Sequence, residues 1–183
     1  GMITADVKAL EKRGGGAGAL ALLLTHRGAI VADLRVGRLG ETLLLECARG
    51  EQERIRTALE KRIIADDVEL VDRSGDFAVL GIEGARSGEV LARALGGASL
   101  PGPFDWAQIP FGGTALLAAS FGWSGEQAHQ LRIARSALEA LRDAIERAAR
   151  ELGADCIRGD AALLELLRIE AGLVDLLHVR LGP

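Results

Sequence analysis

The stretch AGALALLLTHRGAIVADLRVGRL, residues 17–39, decides the fold class. Its apolar residues predict two strands, Ala17–Thr25 and Ala29–Leu39, joined by a turn at His26–Gly28. Because side chains alternate between the two faces of a strand, the second strand has two distinct sets of residues. One face carries Ile30, Ala32, Leu34 and Val36, and the other carries Val31, Asp33 and Arg35.

Further strands and helices are predicted from the period-two and helical patterns along the chain. The strands are Glu41–Cys47, Val68–Val71, Phe77–Ile82, Trp106–Pro110, Ala115–Phe121 and Gln130–Ile133. The helices are Glu51–Ile63, Ser87–Leu95, Ala137–Leu152 and Ala161–Ala171. This order favours an α+β fold with antiparallel sheets over a doubly wound fold. We expect a single domain over residues 1–183, with halves at residues 2–100 and 104–172 on either side of the turn-rich Leu100–Pro103.

The last two helices carry the clearest signals at their ends. Ser136 and Glu139 have the spacing of a capping box, in which each side chain satisfies a free backbone N–H of the other residue. Asp160 is the predicted N-cap of the final helix. The leucines between Leu163 and Leu167 cover a wide arc of that helix, so we expect it to be well buried.

Composition argues against several classes of function. The 22 basic and 26 acidic residues give a net charge of −4, which offers no basic surface for nucleic acid. Aromatic residues make up 3% and tyrosine is absent, so platforms for stacking bases are nearly missing. No apolar run reaches membrane-spanning length and no signal-peptide pattern is present, so we expect no membrane association. Cys47 and Cys156 lack a CxxC pattern, which favours two buried thiols in a reducing cytoplasm.

Two short motifs and the three histidines indicate no chemistry. Gly14–Ala19 (GGGAGA) fits G-x-G-x-x-A, but a polar segment precedes it and a strand is predicted after it, so we interpret it as a hairpin loop. Gly122–Gly125 is one residue short of the G-x-S-x-G motif of hydrolases. The three histidines are too scattered to predict a metal site: His26, His129 and His178.

Two charged positions have an ordinary structural explanation. Asp33 lies on the polar face of its strand beside Arg35, as in a solvated charge pair. Arg168 and Glu170 end an apolar helix, where partnered charges can close a core. From the residues alone, this explanation of Asp33 is stronger than a catalytic one.

An ordered set of segments nevertheless resembles a known family. FGWSGEQAHQLRI (Phe121–Ile133) looks like G-[YW]-T-G-E-x-G-F-E-[IL], and LLRIEAG (Leu166–Gly172) looks like L-R-[IL]-E-A-G. MITADVKAL (residues 2–10), RGAIVADLRVGRL (residues 27–39) and DDVELVDRSGDFAVLGIEG (residues 66–84) look like its other motifs. The chain thus resembles the folate-binding domain of the glycine-cleavage T-protein (aminomethyltransferase) family. We expect it to be truncated at both ends relative to that family, without the C-terminal barrel.

The resemblance implies duplicated ferredoxin-like halves and a site for tetrahydrofolate or a related folate. In that family the folate accepts a one-carbon unit from an aminomethyl group held on a lipoyl carrier protein. By position, Asp33 would be the catalytic carboxylate that orients and activates the folate amine. Trp123 would place a ring against the folate, and Arg168 would face its anionic tail. Glu126 matches a structural glutamate of the same motif.

Three consecutive positions depart from the family pattern. Gln130 stands where the family has a glutamate that binds the pterin ring, and Ala128–His129 stands for its Gly-Phe. Glutamine offers one neutral acceptor where a carboxylate offers two charged ones, so we expect weaker pterin binding and doubtful catalysis. Folate binding related to aminomethyl transfer is the leading hypothesis. The alternatives are a non-catalytic partner subunit like the gamma subunit of sarcosine oxidase, a fragment that pairs with a separate chain, and an iron–sulfur-maintenance relative.

The residues after Gly172, LVDLLHVRLGP, are too apolar to remain in water. They resemble the family's own N-terminal segment, A-G-L-x-D-L-S-H-x-x-x-L. Both faces of the segment are apolar at its start, as in a strand inserted between neighbours. We therefore predict that Gly172–Leu181 adds a strand to a sheet, either in its own chain or in a homodimer.

Overall fold

The computed structural model describes residues 3–63 and 67–172. The helices are α1 (Val7–Arg13), α2 (Gln52–Glu60), α3 (Ser87–Ala94), α4 (Leu138–Glu151) and α5 (Ala161–Glu170). The strands are β1 (Gly18–Leu24), β2 (Ile30–Leu39), β3 (Thr42–Glu46), β4 (Phe77–Glu83), β5 (Trp106–Phe111), β6 (Thr114–Ala119) and β7 (Ala128–Ala134). All strand pairs in the two sheets are antiparallel, so the predicted α+β class is confirmed. None of the described helices is long and apolar enough to cross a membrane.

Contacts divide the chain into two units, Gly1–Gly75 and Asp76–Pro183. The boundary falls here because β4 pairs with β7 and therefore belongs to the second sheet. The turn-rich Leu100–Pro103 connects α3 to β5 inside the second unit.

The first unit is a three-stranded sheet in the order β1-β2-β3, packed against α1 and α2. Ala32, Leu34 and Val36 of β2 are buried in its core, as the alternation predicts. Leu10 of α1 and Ile55 of α2 pack against the same face. The GGGAGA segment is not the predicted hairpin loop, because residues 14–17 connect α1 to β1 and Gly18 and Ala19 begin β1. It follows a helix and leads into a strand, the reverse of the order that a nucleotide fingerprint needs.

The prediction for Val31 is wrong because of a β-bulge. Leu23 pairs with Ala32, but Leu24 pairs with Ile30, which leaves Val31 as the extra residue. Such an extra residue bends the strand and changes the direction of its side chain. Val31 packs against the core instead of sharing the polar face of Asp33.

The second unit is a four-stranded sheet in the order β4-β7-β6-β5. β7 lies between β4 and β6, which is why six of its seven residues are buried. Its core-facing residues Leu131 and Ile133 pack with Leu91 of α3 and Leu141 of α4. The opposite face of β7 carries Gln130 and is described with the candidate site.

The start of α4 differs from the predicted capping box. Arg135–Ala137 form a 3-10 turn before the helix, and the N-cap, Ala137, makes no side-chain hydrogen bond. Ser136 therefore lies within a helical turn and lacks the extended backbone of an N-cap. Glu139 instead accepts a hydrogen bond from Arg142 Nη1 at 2.6 Å.

Three further predictions are wrong because the segments concerned do not pack against a core. Val68–Val71 is not a strand, and both of its valines are exposed. Asp160 caps α5 as predicted, accepting from the Leu163 N–H at 2.9 Å, but α5 has no buried residue. Cys156 is exposed rather than buried, because it lies in the irregular segment between α4 and α5. Apart from Gly172, the residues of the predicted strand Gly172–Leu181 lie outside the described residues.

Candidate functional site

Asp33 lies half-buried on β2, on the face of the first sheet that points away from the core. Its neighbour on that face, Arg35, forms an ion pair with Glu46 of β3, with Nε 3.0 Å from Oε2. Burial lowers the pKa of Arg35 to about 10, an effect that the nearby Asp33 carboxylate opposes. Arg35 therefore remains charged at neutral pH. The Asp33 carboxylate is only half-buried, so it is accessible to a ligand on this face.

A buried polar cluster occupies the face of the second sheet opposite the helices. Gln130 and Arg132 of β7 are 8% and 7% exposed. Arg132 donates from Nη1 to the Gln130 backbone oxygen at 3.2 Å and from Nη2 to Gln130 Oε1 at 3.4 Å. Its guanidinium carbon lies 4.7 Å from the centre of the Trp106 ring, within the range of a cation–π contact. Burying such groups in a sheet face is costly, which makes this cluster a candidate binding site.

Glu83 at the end of β4 anchors the loop that carries Trp123. Its carboxylate accepts from the Trp123 N–H at 2.9 and 3.1 Å and from the Ser124 N–H at 2.7 Å. The Trp123 ring meets Phe121 edge to face, with ring centres 5.1 Å apart. The two backbone hydrogen bonds therefore fix the loop, and the ring contact fixes the direction of the half-buried Trp123 side chain.

Gly122 allows this loop to approach the sheet closely. A Cβ atom at Gly122 would lie 2.0 Å from the Ala128 Cβ and 2.9 Å from the Glu83 carboxyl carbon. Real side chains do not approach so closely, so position 122 requires glycine. The same loop contacts the end of α5, because a Cβ at Gly125 would lie 3.3 Å from the Ala171 Cβ.

The remaining two predicted residues differ in their surroundings. Glu126 is exposed, and its backbone N–H donates to Ser124 Oγ at 3.3 Å, which agrees with a structural place in the loop. Arg168 on α5 is half-buried and donates to both carboxylate oxygens of Glu165, with Nε and Nη2 at 2.8 and 2.6 Å. Arg168 is therefore a partnered charge, as its structural explanation predicts.

The structure brings some of the predicted residues together. Trp123, Glu126 and Gln130 follow one another along one loop and β7, and the helix of Arg168 contacts that loop near its C-terminal end. Asp33 lies in the first unit. Each unit also has a cavity, of about 440 Å³ beside α2 and about 680 Å³ beside β4, α3 and α4. None of the five predicted residues lines either cavity. No group of three or more histidine, cysteine or acidic residues in the described part of the chain could hold a metal ion.

Three residues of these clusters were missed in the sequence. Arg132 could have been found, because it lies two positions after Gln130 in a predicted strand and so shares its face. Glu83 and Trp106 gave no such signal. Their partners, Trp123 and Arg132, lie far along the chain and meet them only through strand pairing and loop closure.

His129 is a second buried polar residue of β7, on the core-facing side. It is 2% exposed, and neither ring nitrogen has a hydrogen-bond partner among the described residues. Burial lowers its pKa below the ordinary value of 6.5. The unfolded chain therefore binds a proton more readily than the folded one, and stability falls as the pH drops below 6.5 towards the folded pKa.

We expect His129→Phe to remove this acid sensitivity, because phenylalanine fills the site without titrating. The check is the urea midpoint measured between pH 5 and 8 for both proteins. His26→Phe is the matched control, since His26 is exposed and its replacement should leave the pH dependence in place. An equally steep pH dependence in His129→Phe would show that other groups cause it.

One family model matches nearly the whole chain, which is enough to assign the chain to that family. The model of the GCVT N-terminal domain matches residues 2–178. The chain belongs to this family. This GCVT domain is 28% identical over 155 residues to the aminomethyltransferase of Chlorobaculum parvum, with 82% of this chain and 42% of that protein covered. It is 27% identical over 136 residues to the aminomethyltransferase of Prosthecochloris aestuarii, with 72% and 38% covered.

A solved structure shows the same fold. The crystal structure of the glycine cleavage system aminomethyltransferase T from Bartonella henselae matches with a TM-score of 0.70 at 23% identity. The match covers 88% of this GCVT domain and 42% of that chain. The predicted T-protein type of fold is therefore confirmed. The chain spans 38% to 42% of the length of these relatives.

Proposed function

We propose that this GCVT domain binds tetrahydrofolate or a related folate and serves aminomethyl transfer to it. The observation that carries the proposal is the buried pair of Gln130 and Arg132 on a sheet face, beside Trp106. A flat heterocycle with several N–H and carbonyl groups suits an amide and a guanidinium held in fixed positions. The named activity of the relatives, aminomethyltransferase, agrees with this ligand class.

Asp33 would supply the acid–base chemistry of the transfer. A carboxylate beside the attacking amine polarises its N–H and can take its proton as the new carbon–nitrogen bond forms. The carbon–sulfur bond to the lipoyl group and the carbon–nitrogen bond of the aminomethyl group break in the course of the transfer, and the lipoyl thiol and ammonia leave. Asp33 is suited to this task because it is half-buried and lies on the face of β2 that points away from the core. The ion pair of Arg35 with Glu46 keeps the Arg35 guanidinium beside this carboxylate.

Trp123 and Arg168 would contact other parts of the folate. The Glu83 carboxylate fixes the Trp123 loop, so the indole ring can pack against an aromatic ligand at little entropic cost. Arg168 would face the anionic tail, sharing its guanidinium between the ligand and Glu165. Glu126 would keep its structural place in the loop.

Gln130→Glu is expected to raise the affinity for 5-formyltetrahydrofolate by about tenfold, because charge-assisted hydrogen bonds are stronger than neutral ones. Arg132 makes the substitution tolerable, since it already donates to Oε1 of residue 130 and would partner the new carboxylate. The measurement is a calorimetric titration of both proteins. Gln108→Glu, at an exposed position of β5, adds the same charge and should leave the affinity unchanged. An unchanged or lower affinity in Gln130→Glu would place the pterin ring elsewhere.

A lipoyl carrier protein is the proposed donor of the one-carbon unit. It would present the aminomethyl group to the folate beside Asp33. We place the protein in the cytoplasm, which agrees with the two free cysteines, Cys47 and Cys156. Mixing the domain with an aminomethylated lipoyl carrier and tetrahydrofolate tests this: methylenetetrahydrofolate should form, and carrier that stays fully loaded would exclude the transfer.

A further inference from the structure

The orientation of the Gln130 amide is set by Arg132. A guanidinium carries N–H donors and no acceptor, so the amide atom that faces it must be the oxygen. Arg132 Nη2 lies 3.4 Å from Gln130 Oε1, and Nη1 of the same guanidinium donates to the Gln130 backbone oxygen at 3.2 Å. An amide rotated by half a turn would place its NH2 group against these donors. The Gln130 side chain therefore turns its carbonyl oxygen towards Arg132 and its NH2 group away from it.

Arg132 is itself held in place by the second sheet. Trp106 of β5 lies opposite Ala119 of β6, which lies opposite Gln130 of β7, so the three residues share one row and one face. Because Ala119 is small, the Arg132 side chain can reach across the row to within 4.7 Å of the Trp106 ring centre. Trp106, Gln130 and Arg132 are each more than nine-tenths buried, so the guanidinium has little freedom to leave the amide.

A ligand at this cluster must offer an acceptor to the Gln130 NH2 group, because a buried donor without a partner is costly. The pyrimidine ring of a folate has two hydrogen-bonding edges. On one edge the N3–H donor lies beside the 4-oxo acceptor, and on the other edge N3–H lies beside the 2-amino donor. An amide carries one donor and one acceptor. It therefore matches the first edge and sets N–H against N–H at the second.

We propose that Gln130 selects folates that carry a 4-oxo group, an inference that rests on the folate binding proposed above. The NH2 group donates to the 4-oxo oxygen, and Oε1 accepts from N3–H through its second lone pair while Arg132 Nη2 uses the first. A 4-amino ring has the reverse polarity, with N3 as an acceptor and the amino group as a donor. The amide matches that ring only after a rotation that turns its NH2 group towards the Arg132 donors. Arg132 is therefore the positioning residue of this selection.

The test compares 5-formyltetrahydrofolate with its 4-amino-4-deoxy analogue by calorimetric titration of the full chain. The two ligands share the tail and the formyl group and differ at position 4 alone. We expect the 4-oxo ligand to bind at least about tenfold more tightly, because the 4-amino ligand leaves buried donors facing each other. Equal affinities would overturn this inference and leave folate binding standing. Binding of neither ligand would overturn the proposed function and this inference with it.

Two variants test how the selection arises. Arg132→Met removes the donors and keeps an unbranched side chain against Trp106, so the amide can rotate to fit either ring. Gln130→Met removes the amide itself and covers the case in which the first variant folds poorly. In both variants we expect the two affinities to differ by less than about threefold. The ratio compares two ligands on one protein, so a partial loss of folded protein does not change it.

Arg147→Met is the matched control, because Arg147 is an exposed arginine of α4. Its preference for the 4-oxo ligand should equal that of the unchanged protein. A full preference that persists in Arg132→Met or in Gln130→Met would overturn the inference, since position 4 of the ring would then be recognised elsewhere.

Discussion

Asp33→Asn is expected to reduce aminomethyl transfer by about 100-fold or more while the fold stays intact, because a positioned acid–base group contributes roughly 10²–10⁴ in rate. Asparagine keeps the shape of aspartate and one oxygen acceptor but cannot take a proton. Asp33 lies outside the core on β2, so the amide should fit without moving the strand. The measurement is methylenetetrahydrofolate formation from a loaded lipoyl carrier, with circular dichroism to check the fold.

Asp67→Asn is the matched control for this variant. Asp67 is an exposed carboxylate of the same unit, so its replacement removes one charge without touching β2. Its transfer rate should equal that of the unchanged protein. If Asp33→Asn also retained a full rate, Asp33 would be the solvated strand residue that its alternation with the core residues predicts.

Gly122→Ala is expected to lower the stability of the fold strongly. The new Cβ would meet the Ala128 Cβ at 2.0 Å, so the loop must leave the sheet or β7 must shift. Overpacking of this kind costs about 1–3 kcal/mol, which lowers the thermal midpoint by roughly 2–12 °C for a chain of this size. The hydrogen bonds from Trp123 and Ser124 to Glu83 would be strained in the same step.

Gly81→Ala separates this effect from a general cost of replacing glycine. Gly81 lies on β4, and a Cβ there would have no atom within 4 Å, so the midpoint should stay the same or rise slightly. Differential scanning fluorimetry of the two variants makes the comparison. Equal midpoints would mean that the loop does not hold Gly122 against Ala128.

Much of the fold could be predicted because alternation and helical period record which face is buried. The residues of β2 that the pattern assigns to the core are buried, except where the bulge at Val31 changes the period. The prediction for Val68–Val71 is wrong because four residues of a mostly apolar segment do not specify a partner, and a strand without a partner does not form. The predicted capping box is wrong for another reason. A 3-10 turn precedes α4, so Ser136 does not occupy the N-cap position.

Only the residues of the candidate site that lie on one continuous segment could be predicted. Trp123, Glu126 and Gln130 come from a single continuous motif, and Arg132 follows from its position on the same strand. The anchor of the loop could not be predicted, because Glu83 reaches Trp123 and Ser124 across the pairing of β4 with β7. The ion pair of Arg35 with Glu46 likewise required the register of β2 with β3.

Folate binding is tested by the thermal midpoint of the full chain, measured with and without 5-formyltetrahydrofolate. If the domain binds this ligand, a concentration of about 100 times Kd stabilises the fold by about 2.7 kcal/mol, which raises the midpoint by roughly 5–11 °C. An unchanged midpoint at millimolar ligand would contradict folate binding and would favour a non-catalytic subunit.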